Sequence, residues 1–218
     1  MQSNESPAQL ELSTDWGVKT SPFRPINLFN LFFRPRRFSD QLHADDPYVH
    51  IFMWLSGISI ANTFIGPFKT DAENHLLVTE MWLLYLIIYL VGGAVFGLLQ
   101  WVIGVWFYKV RIHWAGDPDP DPDGFLAYQV YFYSSGVAAI PMLSLTLIYV
   151  VKHLYFGDSP NFFILFFLAA LIFHCWSTIV GYIGVRRSFN TKVWGSVFWF
   201  LVIPLLPLLP ILFLPLIL

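Results

Sequence analysis

MWLLYLIIYLVGGAVFGLLQWVIGVWFY, residues 81–108, contains no Asp, Glu, Lys or Arg. An α-helix rises 1.5 Å per residue, so about 20 such residues cross the roughly 30 Å of hydrocarbon in a bilayer. The stretch reads as a transmembrane helix, and that reading decides the fold. Residues 48–66, 125–151, 161–184 and 193–218 follow the same rule, and all 12 Lys/Arg and all 14 Asp/Glu fall outside the five runs. One unpaired charge at mid-membrane costs about 3 kcal/mol, which gives this segregation a physical cause. Lone strands would leave their backbone groups unpaired in lipid, so helices are expected. The expectation is an all-α membrane protein, a five-span helix bundle over 47–218.

Composition agrees. Charged residues are 12% of the chain and apolar ones 56%, about half the charge of an average soluble domain. Mean hydropathy is +0.61. A net charge of −2 excludes a nucleic-acid binder driven by overall charge. The single cysteine, Cys175, excludes an internal disulfide framework. Residues 1–22 read as a polar, poorly ordered lead-in without the basic start and apolar run of a signal peptide.

Basic residues set orientation. Ten of the 12 Lys/Arg sit in the N-terminal segment and in the loops after the second and fourth runs; the other side holds Lys69 and Lys152. This places the N-terminus in the cytoplasm and the C-terminus outside. The fifth run carries Pro204, Pro207, Pro210 and Pro215, so its second half is expected to bend or break. Pro47 suits the first turn of the first run.

SPFRPINLFNLFFRPRRFSDQL, residues 21–42, sets Leu28, Phe29, Phe32 and Phe33 on one helical face and Asn27, Asn30 and Arg34 on the other. The segment 23–46 reads as an interfacial amphipathic helix on the cytoplasmic leaflet. Arg34, Arg36 and Arg37, with Arg186 and Arg187, are the candidate lipid-headgroup contacts. The alternative is that the phenylalanines pack against the bundle.

Two stripes stand out within the spans. Gly93, Gly97, Gln100 and Gly104 share one face of the second; Ala170, His174, Ser177, Gly181 and Gly184 share one face of the fourth. Small residues let helix backbones approach, and a polar group among them bonds across, so both stripes read as helix-packing faces. The alternative is a polar path for a small solute or ion around Gln100 and His174, with Ser134, Ser135 and Ser177. His174 and Cys175 are adjacent and point about 100° apart, so they cannot jointly hold a metal.

GDPDPDPDGF, residues 116–125, begins a D-x-D-x-D-G calcium pattern at Asp119, but the twelfth position, which needs a bidentate glutamate, is Val130. Prolines would stiffen the loop and fan its aspartates in different directions. A solvated connector is expected, with no metal and no cofactor. No span carries a carboxylate and no nucleophile–base or phosphate-loop pattern occurs, so an enzyme is not expected.

Over 27–218 the chain resembles the Ypt-interacting-protein (Yip) domain family. The resemblance lies in NLFNLFFRPRRFSDQL before the first of five spans and in the glycine-rich second span with its exit WFYKVRIHWAG. It continues in Tyr133, Ser134, Ser135 and Pro141 of the third span and in IVGYIGVRRSFNTKVW closing the fourth. The chain departs from the family at GDPDPDPDG, and at Val193, Trp194 and Gly195, where alanine is usual after the basic residue. In eukaryotes the resemblance implies Ypt/Rab GTPase partners in vesicle traffic. A chain with 47 residues before its first span is similar to prokaryotic members, in an inner membrane. There the resemblance implies a non-enzymatic scaffold bound to membrane lipids and to a membrane-protein partner or further copies of itself.

Overall fold

The computed structural model of the chain describes residues 25–40, 42, 48–65, 82–156 and 160–208. The expected lead-in 1–22, Pro47, and the tail of the fifth run with Pro210 and Pro215 lie outside these residues. Among the described residues every regular element is helical. In chain order they are α1 (Pro25–Phe33), α2 (Pro35–Ser39), α3 (Val49–Ile65) and α4 (Trp82–Leu99). A π-helical segment (Gln100–Gly104) joins α4 to α5 (Val105–Trp114), followed by α6 (Gly124–Phe156) and α7 (Pro160–Ser188). The last helix comprises α8 (Val193–Val197), a second π segment (Phe198–Val202) and α9 (Ile203–Leu205).

Three helices are long and apolar enough to cross a bilayer: Ile87–Trp114, Gly124–Ile148 and Leu165–Ser188. Two shorter apolar helices, Val49–Asn62 and Val193–Leu205, accompany them. The 33 residues of α6 rise about 50 Å, well beyond the hydrocarbon thickness. α5 ends, α6 begins and α7 ends at one end of the bundle, where Asn190 N meets Asp117 and Lys192 N meets Ala115 O.

The core sits at that end. Leu31, Phe38, Phe52, Phe132 and Tyr133 form one buried cluster with Val105 and Val180. Tyr108, Ile112, Val130, Val185 and Phe200 form a second. Farther along, α4 and α7 turn Val91, Val95, Leu98, Leu165, Leu168 and Ile172 outward, as helices solvated by lipid tails do.

Two expectations need adjusting. The second run was expected to end at residue 108, with Lys109 and Arg111 in a loop. The helix continues to Trp114, because Arg111 is accommodated inside the bundle. The segment before α3 divides at Pro35, with Arg34 between α1 and α2. Its inward residues are Leu31, fully buried, and Phe32 and Phe38, which pack into the core. Phe29 and Phe33 face outward and stack on each other, ring centres 4.5 Å apart. The Leu28 side chain lies outside the described residues.

Candidate functional site

The first stripe meets different neighbours along its length. Gly93 and Gly97 lie where α4 crosses α3. A Cβ added at Gly57 would overlap Gly93 O and lie 2.6 Å from Gly97 N, so the two backbones touch at Gly57. Ala61, one turn later, packs against Gly92, whose Cβ would sit 3.1 Å from the Ala61 Cβ. Gly104 faces α6, where its Cβ would lie 2.8 Å from the Tyr131 hydroxyl. Gln100 opens the π segment, and its buried Oε1 has no hydrogen-bond partner among the described residues.

The second stripe also divides. Ala170 and His174 line a pocket of about 300 Å³ with Ala138, Met142, Phe167, Leu171 and Leu208. His174 Nε2 lies 3.1 Å from Pro204 O. Ser177 Oγ donates to Ser134 O at 2.8 Å, joining α7 to α6. Gly181 sits beside Ser134 Oγ and the Tyr108 hydroxyl, and a Cβ at Gly184 would press on Val130 Cγ1 at 2.6 Å. Gln100 is not among the residues around His174, so the two do not share that pocket.

Sequence reasoning missed Arg111. It enters the bundle between aromatic rings, its guanidinium carbon 4.5 Å from the Phe200 ring centre and 5.7 Å from that of Tyr108. One of its amino groups donates to Trp199 O, while Nε is buried without a partner among the described residues. The acceptor has a specific origin. In the second π segment the Ile203 N–H reaches back five residues to Phe198 O. The next bond of that register would run from residue 204 to Trp199 O, and Pro204 has no N–H. Trp199 O is thus orphaned by the helix, and Arg111 satisfies it. A basic residue just past a span, followed 93 residues later by a proline, gives a linear sequence no way to pair them.

The two loops at this end are fastened together. Lys192 N donates to Ala115 O at 2.9 Å, and Gly195 packs so closely on Ala115 that a Cβ would overlap its carbonyl oxygen. Gly116, at φ +91°, makes the turn that side-chain-bearing residues avoid. Asp117 is buried; its Oδ2 accepts from Asn190 N and its Oδ1 from Asp119 N, both at 3.0 Å. Asp119 Oδ1 accepts from Asp121 N, Asp121 pairs with Lys109, and Asp123 Oδ1 accepts from Phe125 N and Leu126 N. Two aspartates therefore make successive Asx turns and a third caps α6. The expected fanning by polyproline geometry is replaced by these local hooks. Among the described residues no three His, Cys, Asp or Glu side chains converge as a metal site would require.

Of the five arginines singled out, Arg34, Arg36, Arg37 and Arg187 are exposed. Arg187 pairs with Asp40 at 3.6 Å, and Arg186 donates to Thr191 O. Deeper along α7, Trp176 Nε1 donates to Phe32 O at 2.8 Å. A polar chain also unforeseen links Tyr89 to Asn62 at 2.9 Å and Asn62 to Thr146 at 3.2 Å, joining α3, α4 and α6.

The Yip1 domain family model matches residues 29–214. Neither a curated protein nor a solved structure matches the chain. The matched region takes in α2 to α9 and most of α1, with the buried core and the fastened loops. This chain is a multi-pass membrane protein and belongs to the Yip1 domain family.

Proposed function

We propose that the protein is a non-enzymatic scaffold of the inner membrane, crossing it five times with its N-terminus and fastened loops in the cytoplasm. In this reading it recruits a membrane-protein partner, or further copies of itself, and organises the lipid around it. The observation that carries the reading is where the polar side chains of the helices are engaged. His174 meets Pro204 O, Ser177 meets Ser134 O, and Arg111 meets Trp199 O. Each joins one helix to the backbone of another, which is the work of a packed support. The Gly93 and Gly97 crossing with α3 adds a close backbone contact of the same kind. Lipid headgroups are the natural ligands of Arg34, Arg36, Arg37 and Arg187 in such a protein.

Purification in mild detergent tests the reading. Wild-type protein is expected to bring down a defined membrane protein or a second copy of itself, and the Gly93→Leu, Gly97→Leu double variant to lose it. A chain that stays monomeric and alone in native lipid discs, with a His174-dependent solute flux in vesicles, would replace the scaffold reading with a transporter. Reporter fusions at the two termini check the odd number of crossings.

A further inference from the structure

His174 brings the one polar side chain to the pocket that it lines. The other walls are apolar: Ala138 and Met142 from α6, Phe167, Ala170 and Leu171 from α7, and Leu208 past α9. Phe167 is 39% exposed while lining it, so the pocket opens onto the surface that lipid tails cover. Its volume of about 300 Å³ lies at the small end of the range for ligand pockets. His174 itself stands near the middle of the candidate span Leu165–Ser188.

The bond to the last helix fixes what His174 offers. A carbonyl oxygen accepts and cannot donate. Pro204 O, 3.1 Å from Nε2, therefore places the proton of the neutral ring on Nε2 and leaves Nδ1 a bare acceptor. A second proton would put an uncompensated charge within the membrane, which hydrocarbon disfavours. Nδ1 has no hydrogen-bond partner among the described residues, yet it is not sealed in as Gln100 Oε1 and Tyr108 Oη are. The pocket is the open space beside the ring.

These features select a class of occupant. A lipid tail would fill the walls and leave Nδ1 unmet, whereas a hydrogen-bond donor would satisfy it. An ammonium group would bring a charge with no carboxylate in the pocket to receive it. An amide or a carboxylic acid would bring a carbonyl, and no second polar side chain lines the pocket to meet that oxygen. One hydroxyl on an apolar body matches both the walls and the nitrogen.

We propose that the pocket between α6, α7 and the last helix binds a lipid-soluble alcohol or phenol. Its hydroxyl donates to His174 Nδ1, and its apolar body lies among Ala138, Met142, Phe167 and Leu171. The site is reached from within the bilayer, and it stands whether or not a protein partner is recruited.

Competition labelling tests it on the full chain in phosphatidylcholine vesicles. The probe is para-hexylphenol with a diazirine in its hexyl chain. The competitors are para-hexylphenol and its methyl ether, which has nearly the same shape and no donor, compared at equal mole fraction in the bilayer. Labelling is expected to saturate and to fall within residues 138–142 and 167–174. The phenol is expected to compete about tenfold better than the ether, the worth of one hydrogen bond. Ala170→Phe, which fills the pocket and leaves His174 and Pro204 in place, is expected to abolish the saturable labelling. His174→Phe is expected to keep labelling and lose the preference for the phenol. Equal competition by phenol and ether in the wild type means that the pocket takes any hydrocarbon, lipid tails included, and overturns the proposal. Labelling that grows in proportion to probe, without saturating, means a lipid-facing surface and no site. Saturable labelling that survives Ala170→Phe places the probe elsewhere and overturns it equally. Should His174→Phe express poorly, the ether and Ala170→Phe arms still decide.

Discussion

Arg111 donates its hydrogen bond to the main-chain oxygen of Trp199, the carbonyl that Pro204 leaves without a helical donor. A cation in a membrane helix is ordinarily a functional suspect. Here the acceptor it meets is a defect in the neighbouring helix, and the rings of Phe200 and Tyr108 hold it in place. The arginine is explained by the proline.

That explanation makes Arg111→Met and Pro204→Ala non-additive. Arg111→Met alone removes a charged hydrogen bond and is expected to cost about 2 kcal/mol. Pro204→Ala supplies an N–H for Trp199 O, so adding Arg111→Met to it is expected to cost at least about 1 kcal/mol less. Unfolding in mixed micelles, run as a double-mutant cycle, reads the difference. Strict additivity would show that Arg111 is held for some other reason.

The α3–α4 crossing predicts a sharp contrast among glycines. At Gly57 a methyl group meets backbone atoms of Gly93 and Gly97, which cannot swing aside. Gly57→Ala is expected to destabilise by about 3 kcal/mol through overpacking. Gly124→Ala meets nothing nearer than Lys109 Nζ at 3.6 Å and is expected to stay within about 0.5 kcal/mol of wild type. Thermal inactivation of the detergent-solubilised protein ranks the two.

The sequence carried the helices because hydrocarbon imposes one rule over whole stretches: no charge. The runs begin within a residue of the starts of α3, α4, α6, α7 and α8. The rule could not find where α5 ends, since Arg111 breaks it and finds its acceptor 88 positions away. Glycine stripes announced close packing at Gly93 and Gly97 without naming Gly57 as what they touch; Gly57 and Ala61, one turn apart, were the available signal. The helical wheel of the segment before α3 divided Phe29 from Asn30 but gave no reason to turn Leu31 of α1 and Phe38 of α2 inward. Their burial depends on Tyr133 and Phe52, which arrive from other helices.

At the loops, Asp117, Asp119 and Asp123 separate by what each holds. Asp117→Ala removes acceptors for both Asn190 N and Asp119 N and unfastens the two loops from each other, at a cost of about 1–2 kcal/mol for the two bonds. Asp123→Ala loses the cap of α6, about 1 kcal/mol. Asp119→Asn keeps an acceptor oxygen and is expected to be silent. Hydrogen exchange at Asn190 and Asp119 should accelerate in the Asp117 variant alone; equal acceleration in all three would mean the loops are not joined through Asp117.

Trp176 governs whether α1 stays with the bundle. Its indole N–H holds Phe32 O, while Leu31 and Phe38 are buried nearby. Trp176→Phe keeps the ring mass and removes the donor, leaving one carbonyl to be satisfied at a level where water is scarce. The expected loss is about 1 kcal/mol, confined to the α1–α2 segment because α7 keeps its other contacts with α6, among them Ser177 to Ser134 O. Hydrogen exchange should rise over residues 29–40 and stay unchanged in α6. Phe38→Ala removes a buried ring packed edge-on against Tyr133 at 4.8 Å and should cost about 3 kcal/mol or more, spreading to α3 through Phe52. If Trp176→Phe instead loosened α6 and α7 as much as α1, the indole would be supporting the bundle itself.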